Sequence, residues 1–331
     1  MIDLFQVTTL NKDLKIQQLF DYWRKVGFPN YSSLSYDKYH ELQKLIKFDE
    51  SSIVQGGDLQ QTMHGCGLLW TYFPHWVEVL CGDAKTSLLD NWNDDTKLIS
   101  LIRKTYDWQL KHGNGVFTVN RLRQNSKVYL NKQSVSNFRP SVAKYIYNTY
   151  GNQGSVWDMS GGWGGRLFGF LASDCKAYIT TEPSVKTYNG LLTIADDYNH
   201  IDKKVTIVQS GSEDYLPEKE SLDLCFTSPP YFDTEKYSDE ETQSYLKFPS
   251  QASWLEGYLR KTIENCCYGL NQNGHLIINI ANTKSCDILE SSTVEIVQSL
   301  GFELIDIKQL ILSSIAGKGV KREPIFIFKK L

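Results

Sequence analysis

Acidic side chains are missing from one long stretch of this 331-residue chain: between Trp108 and Trp157 there is no Asp or Glu. Lys111, Arg121, Arg123, Lys127, Lys132, Arg139 and Lys144 all fall inside it. The formal net charge of −3 argues against a polyanionic partner, but this distribution argues the other way. A contiguous cationic stretch is the electrostatic footprint that backbone phosphates require. The seven cysteines contain no Cys-x-x-Cys spacing and the six histidines are scattered, so no metal site and no disulfide framework is expected. Reduced cytosol, in a bacterial or phage setting, is the natural compartment. The chain also lacks a run of about eighteen apolar residues, a leader-like N-terminus and a lipidation motif, so neither a membrane partner nor secretion is indicated. Internal repeats and low-complexity tracts are absent as well.

What the chain does have is Thr227-Ser228-Pro229-Pro230-Tyr231, placed directly after the apolar run Leu222–Phe226. That order reads as a strand ending in a rigid turn. Consecutive prolines fix φ near −65° and remove backbone donors, leaving carbonyls aimed outward as acceptors. Ser228 Oγ and the Pro229 carbonyl could then accept from the two N–H groups of a ring-conjugated amine, a preorganised acceptor pair that makes the nitrogen a better nucleophile. Tyr231 offers a flat face for a base taken out of its stack.

Upstream, Ser155–Asp158 leads through Met159, Ser160, Gly161, Gly162, Trp163 and Gly164 into the apolar stretch Leu167–Ala172. This reads as strand, glycine turn and helix, a geometry in which the backbone can approach a ligand closely. The acid precedes the glycines, unlike the dinucleotide pattern Gly-x-Gly-x-x-Gly. A second strand, Ala177–Thr181, ends in Glu182, at the spacing of about twenty residues where a doubly wound fold places an acid on ribose hydroxyls. A third, Val205–Gln209, ends near Ser212 and Glu213, either of which could read an adenine edge.

Together these elements resemble the S-adenosylmethionine-dependent DNA amino-methyltransferases, which make N4-methylcytosine or N6-methyladenine, as in restriction-modification systems. The resemblance covers roughly residues 133–331. It implies an α/β, Rossmann-like class I methyltransferase fold with a seven-stranded, mostly parallel sheet. It also implies that Asp158 to Gly164 bind the methionine part of the cofactor, that Glu182 takes the ribose, and that Ser228, Pro229, Pro230 and Tyr231 are catalytic. Asn137-Phe138-Arg139-Pro140-Ser141 resembles the family segment that folds over the cofactor, making Phe138 a candidate contact; equally, Pro140 suits the first turn of a helix. No Pro-Cys pair occurs, which excludes the covalent chemistry of C5-cytosine enzymes. Direct transfer to the base nitrogen is expected.

Length allows two units. The catalytic fold is expected over residues 116–331, and a mainly helical domain, a candidate for target recognition, over residues 1–115, with helical-period stretches at Leu14–Val26, Tyr36–Ile46 and Thr96–Leu110. The aromatic-rich segment His64–Trp76 suits a core better than a base-stacking surface. Double-stranded DNA with a flipped base is the expected partner, RNA staying open. Arg121, Arg123, Lys127 and Lys132 are candidate phosphate contacts, joined by Lys318, Lys321 and Arg322 in the last hairpin. The acidic loop after Tyr231, with Asp233, Glu235, Asp239, Glu240 and Glu241, is expected to act as a lid or to face away from phosphate. An RNA-base or glutamine-amide methyltransferase, or a DNA-binding protein without catalysis, is the competing reading.

Overall fold

A computed structural model of the chain describes residues 5–113, 115–130, 134–312 and 320–331. Its strands, in chain order, are β1 (Val54–Gln55), β2 (Asp58–Leu59), β3 (Leu80–Cys81), β4 (Ser155–Asp158), β5 (Ala177–Thr181), β6 (Lys204–Val208), β7 (Leu222–Thr227), β8 (Glu235–Lys236), β9 (Leu270–Asn279), β10 (Phe302–Leu312) and β11 (Lys321–Lys330).

Nine of them form one sheet in the order β1-β2-β10-β11-β9-β7-β4-β5-β6. The β4/β5, β5/β6, β4/β7 and β7/β9 pairs are parallel, while β11 runs antiparallel to both β9 and β10. This is the Rossmann-like arrangement expected: the order reverses between β4 and β7, and in such sheets ligands bind outside the carboxyl ends of the strands at that reversal. The expected seven strands are all present. Two more come from residues read as part of the N-terminal domain, where the short β1–β2 hairpin adds Leu59 beside Leu310. Strands this short carry no hydrophobic alternation, which is why periodicity missed them.

The chain divides into two compact units. One holds the described residues up to Tyr31 together with Pro74–Ser136 and Glu235–Tyr237; the other holds Ser32–Phe73, Asn137–Thr234 and Ser238–Leu331. This is not the expected single cut at residue 115. Residues 32–73 belong with the large sheet for physical reasons: Trp70 and Phe73 pack on Trp163 at ring distances of 5.5 and 5.7 Å, and Tyr72 Oη donates to Asp197 at 2.7 Å. Trp70 and Phe73 are buried, as is Trp76, so the aromatic-rich segment is core.

Of the three expected helices, two lie in the first unit, at Lys12–Val26 and Asp95–His112, and the third, Lys38–Ile46, lies in the second. With the helix Val119–Tyr129, the first two bury Ile16, Leu19, Trp23, Leu98, Ile102, Tyr106 and Leu122 in one apolar cluster. The core of the second unit runs along the sheet from Trp157 and Leu276 to Phe328 and Trp254. Its helix at Pro140–Tyr150 has proline in the first turn, where the missing N–H costs nothing. Among the described residues no helix is long and apolar enough to cross a membrane.

Candidate active site

At the carboxyl end of β4 the backbone turns through Gly162 (φ 52°) and Gly164 (φ 72°), both in the left-handed region that favours glycine. The glycines divide the work. A Cβ on Gly161 would meet Leu191 Cδ1 at 2.6 Å and one on Gly164 would meet Ile194 Cδ1 at 2.6 Å, so these two permit packing. At Gly162 the nearest atom to such a Cβ, Ser160 O, is 3.7 Å away. Gly162 is therefore the open side of the turn. Asn137, which is buried, pins the turn from behind: its Nδ2 donates to the Trp163 carbonyl at 2.7 Å and its Oδ1 accepts from Gly165 N–H at 3.1 Å.

Asp158 is placed otherwise than the resemblance implied. Its carboxylate is fully enclosed, with Oδ2 accepting from Arg166 Nε at 2.9 Å and Tyr178 Oη at 2.7 Å, and Oδ1 accepting from Ser160 N–H at 3.2 Å. Burial pushes its carboxyl up, against the pull of the Arg166 guanidinium. Asp158 thus braces the turn through its neighbours rather than presenting an open oxygen to a ligand. Arg166, itself buried, also donates to the Ser160 carbonyl and lies 5.7 Å from the centre of the Phe138 ring. Phe138 is half-buried, edge-on to Phe226.

The end of β5 carries Glu182, whose Oε2 accepts from Gly162 N–H and whose Oε1 accepts from Ser184 N–H, each at 3.0 Å. Burial pushes its carboxyl up to about 7 despite these two backbone donors. Beyond β6, Ser212 and Glu213 are both buried but differ in what remains available. The Ser212 hydroxyl pairs with Thr262 Oγ1 at 2.8 Å. Glu213 Oε1 meets Lys247 Nζ at 2.5 Å, while its Oε2 is buried with no hydrogen-bond partner among the described residues. Tyr258, on a π-helical turn at Leu255–Arg260, is buried close to Glu213 and Glu182, and burial raises its phenol. Single π turns inside helices recur at functional sites.

The Pro-Pro turn closes β7 beside the glycine turn. Ser160 Oγ pairs with Thr227 Oγ1 and donates to the Ser228 carbonyl at 3.3 Å, so the two motifs share a hydrogen-bonded seam. Pro229 is buried, and Ser228, Pro230 and Tyr231 are half-buried. Tyr231 Oη reaches the Asn279 carbonyl at 3.4 Å and Glu323 Oε2 at 3.3 Å, and its ring packs on the sheet core. Phe232 follows with φ 55°, a conformation costly for an aromatic residue and one that tends to persist at functional turns.

The acidic loop neither floats nor simply faces away. Glu240 Oε1 accepts from Val185 N–H at 3.1 Å at the start of the helix Val185–Asp197, Thr242 Oγ1 donates to the Pro183 carbonyl at 3.4 Å, and Lys247 pairs with Glu213 and Asp214. Residues 238–248 therefore form a strap over the ends of β5 and β6.

The cationic candidates separate by burial. Arg123 is buried, donating to the Pro29 and Asn30 carbonyls at 2.7 and 3.2 Å and lying 4.1 Å from the Tyr31 ring centre, so it is a structural residue and not a phosphate contact. Lys144 is likewise committed, to the Ile46 and Phe48 carbonyls and Glu50. Arg121 lies 3.5 Å over Trp108 and Lys127 4.4 Å over Trp76, both partly exposed. Lys321 pairs with Glu323 at 2.7 Å and Arg322 with Asp58 at 3.8 Å. Lys132 and Lys318 lie outside the described residues.

Asn137, Arg166 and Tyr258, all buried around these turns, were not among the expected site residues, although Asn137 and Arg166 lie in or beside the two segments that carry the resemblance.

No protein-family model matches the chain, and no curated protein matches it in sequence. Solved structures that resemble it include an S-adenosylmethionine-dependent O-methyltransferase from Thermotoga maritima (13% identity, 62% of this chain and 70% of that one, TM-score 0.40). Another is magnesium protoporphyrin IX methyltransferase from Synechocystis with bound S-adenosylmethionine (12% identity, 58% and 77%, TM-score 0.40). A third is an S-adenosylmethionine-dependent methyltransferase from Methanosarcina mazei (12% identity, 56% and 97%, TM-score 0.41). The fold stands on the strand order above.

Proposed function

We propose that this chain is an S-adenosylmethionine-dependent methyltransferase acting on the exocyclic amine of a flipped DNA base, cytosine N4 or adenine N6. The observation that carries the reading is the seam at the sheet's switch point, where Ser160 of the glycine turn is hydrogen-bonded to the carbonyl of Ser228 in the Pro-Pro turn. A donor site and an amine site are thereby built side by side.

The residues present fit the cofactor. Gly162 leaves room on the open side of the turn, Glu182 would take a ribose diol, and Glu213 would offer an adenine amino group the one buried acceptor that no described residue partners. S-adenosylmethionine supplies, when bound, an electrophilic methyl group. The chain supplies position and polarity. Ser228 Oγ and the Pro229 carbonyl accept from the amine N–H groups, drawing its lone pair out of conjugation, and the Tyr231 ring supports the base. The tether from Tyr231 Oη to Asn279 and Glu323 restrains that ring before substrate arrives. A restrained ring loses less entropy on stacking.

Nucleoside mass spectrometry on DNA and, in parallel, RNA exposed to the protein with S-adenosylmethionine tests the reading. N4-methylcytosine or N6-methyladenine in the DNA is the expected product. Methylated RNA alone would move the substrate to RNA, and no methylated nucleoside in either would overturn the assignment.

A further inference from the structure

Beyond the expected cofactor motifs, the strap at residues 238–248 carries a buried donor that bonds to no described residue. Gln243 is 5% exposed, yet its Nε2 finds no hydrogen-bond partner among the described residues. It stands at the N-cap of the short helix Ser244–Lys247, but its side chain makes no capping bond. Burying an amide without a partner is unfavourable, and native proteins seldom do it without a compensating role.

Its position narrows that role. One residue before it, Thr242 is bonded to the Pro183 carbonyl beyond β5; one helical turn after it, Lys247 is bonded to Glu213 beyond β6. Gln243 is therefore held between the two strand ends assigned above to ribose and adenine. On the β6 side, Glu213 Oε2 is a buried acceptor without a partner, and Glu213 is likewise 5% exposed. A buried donor on the strap and a buried acceptor at the strand end to which Lys247 fastens it each lack a mate among the described residues. An adenine edge presents the complement, an amino donor next to a ring-nitrogen acceptor.

We propose that Gln243 is a cofactor-contact residue whose amide donates to a ring nitrogen of the adenine, making the strap one wall of the adenosine site. The inference rests on the methyltransferase reading above and adds a residue from outside its motifs. It also assigns the strap a part in holding the cofactor, with the Glu240 contact to Val185 and the Lys247 pair as its two fastenings.

Calorimetry with S-adenosylmethionine and with 5′-methylthioadenosine, on the full chain and on Gln243→Leu and Gln243→Ala, tests this, alongside thermal melting without ligand. Loss of one buried hydrogen bond should weaken both ligands by about tenfold in each variant. Without ligand, Gln243→Leu should melt at a higher temperature than the natural protein, because an unpaired buried donor has been replaced by an apolar group of similar size. Unchanged affinity, a loss confined to S-adenosylmethionine, or a lower melting temperature in Gln243→Leu would overturn the proposal. If the natural chain binds neither ligand, the methyltransferase reading fails and this one with it; if it binds both and the variants bind equally, only this one fails.

Discussion

Each side chain at the ends of β4 to β7 is defined by which of its polar atoms are already engaged. Ser228 and Tyr231 stand half-buried at the proposed amine site, and Tyr231 packs on the edge of the core without being enclosed in it as Trp157 is. Replacing both by alanine should lower methylation by at least about 100-fold, the order expected on removing preorganised acceptors, while S-adenosylmethionine still binds in calorimetry. Turnover like that of the natural protein would remove the Pro-Pro turn from the chemistry. Glu182 carries a pH signature. Its carboxyl is held near 7 by burial, above the ordinary 4.5, so between those values the folded protein binds a proton that the unfolded chain has released. Stability of the unliganded protein should therefore fall as pH rises from about 4.5 to 7 and level off above. Ribose hydroxyls donate to an ionised carboxylate, so cofactor affinity should run the other way and strengthen as pH rises through about 7. Glu182→Gln should flatten both profiles, as read by chemical denaturation and calorimetry from pH 5 to 8. The positions of Glu182, Ser228 and Tyr231 were legible in the sequence because each follows a strand that apolar residues mark, two of them in a proline turn. Arg166 was not, since its pairing with Asp158 depends on burying both in one place.

Elements position these residues, and the glycine turn is the most exacting of them. Gly162 sits at φ 52°, which a β-branched residue adopts only with strain, and its N–H is a donor to Glu182. Gly162→Val should abolish measurable S-adenosylmethionine binding while Tyr231→Ala retains it, a contrast that calorimetry on the two variants reads directly. Asn137→Ala should cost about 1–3 kcal/mol in chemical denaturation, because it strips a buried N–H and a buried carbonyl of their partner at once. If that variant is as stable as the natural chain, Asn137 does not hold the turn. The strands from β4 to β11 in the large sheet were readable from runs of apolar residues bounded by turns. The π turn at Leu255–Arg260 was not, because helical spacing in sequence does not distinguish one added residue per turn. The β1–β2 hairpin escaped for a related reason: two-residue strands acquire meaning only through their partner β10.

At the scale of the molecule, charge and partition were the features least readable from the linear order. The acid-free stretch is real, but its cations have different fates. Arg121→Ala, in a partly exposed stack on Trp108, should weaken DNA binding and make the salt dependence of affinity shallower, with the melting temperature little changed. Arg123→Ala should instead lower the melting temperature, since it removes a buried cation from two carbonyls. Fluorescence anisotropy on labelled duplex at several salt concentrations, paired with thermal melting, separates the two; equal effects on DNA affinity would return Arg123 to the phosphate contacts. The two-unit division follows the same logic. Helical periodicity located Lys38–Ile46 but carried no information about which core its apolar face would join.

The sequence by itself determined the local conformations and their order: proline restricts φ, glycine opens the left-handed region, and apolar spacing marks strands and helices, all properties of neighbouring residues. From these came the Rossmann-like sheet, the glycine turn ahead of the Pro-Pro turn, and the acid after the second parallel strand. Tertiary structure alone decided which polar atoms are used up and which are left over. Asp158 is enclosed by Arg166 and Tyr178, Arg123 is spent on backbone carbonyls, and Glu213 Oε2 and Gln243 Nε2 are buried with no partner among the described residues. Burial and hydrogen bonding are set by residues far apart in the chain, and it is desolvation in their company that turns a polar side chain into a brace or a ligand contact.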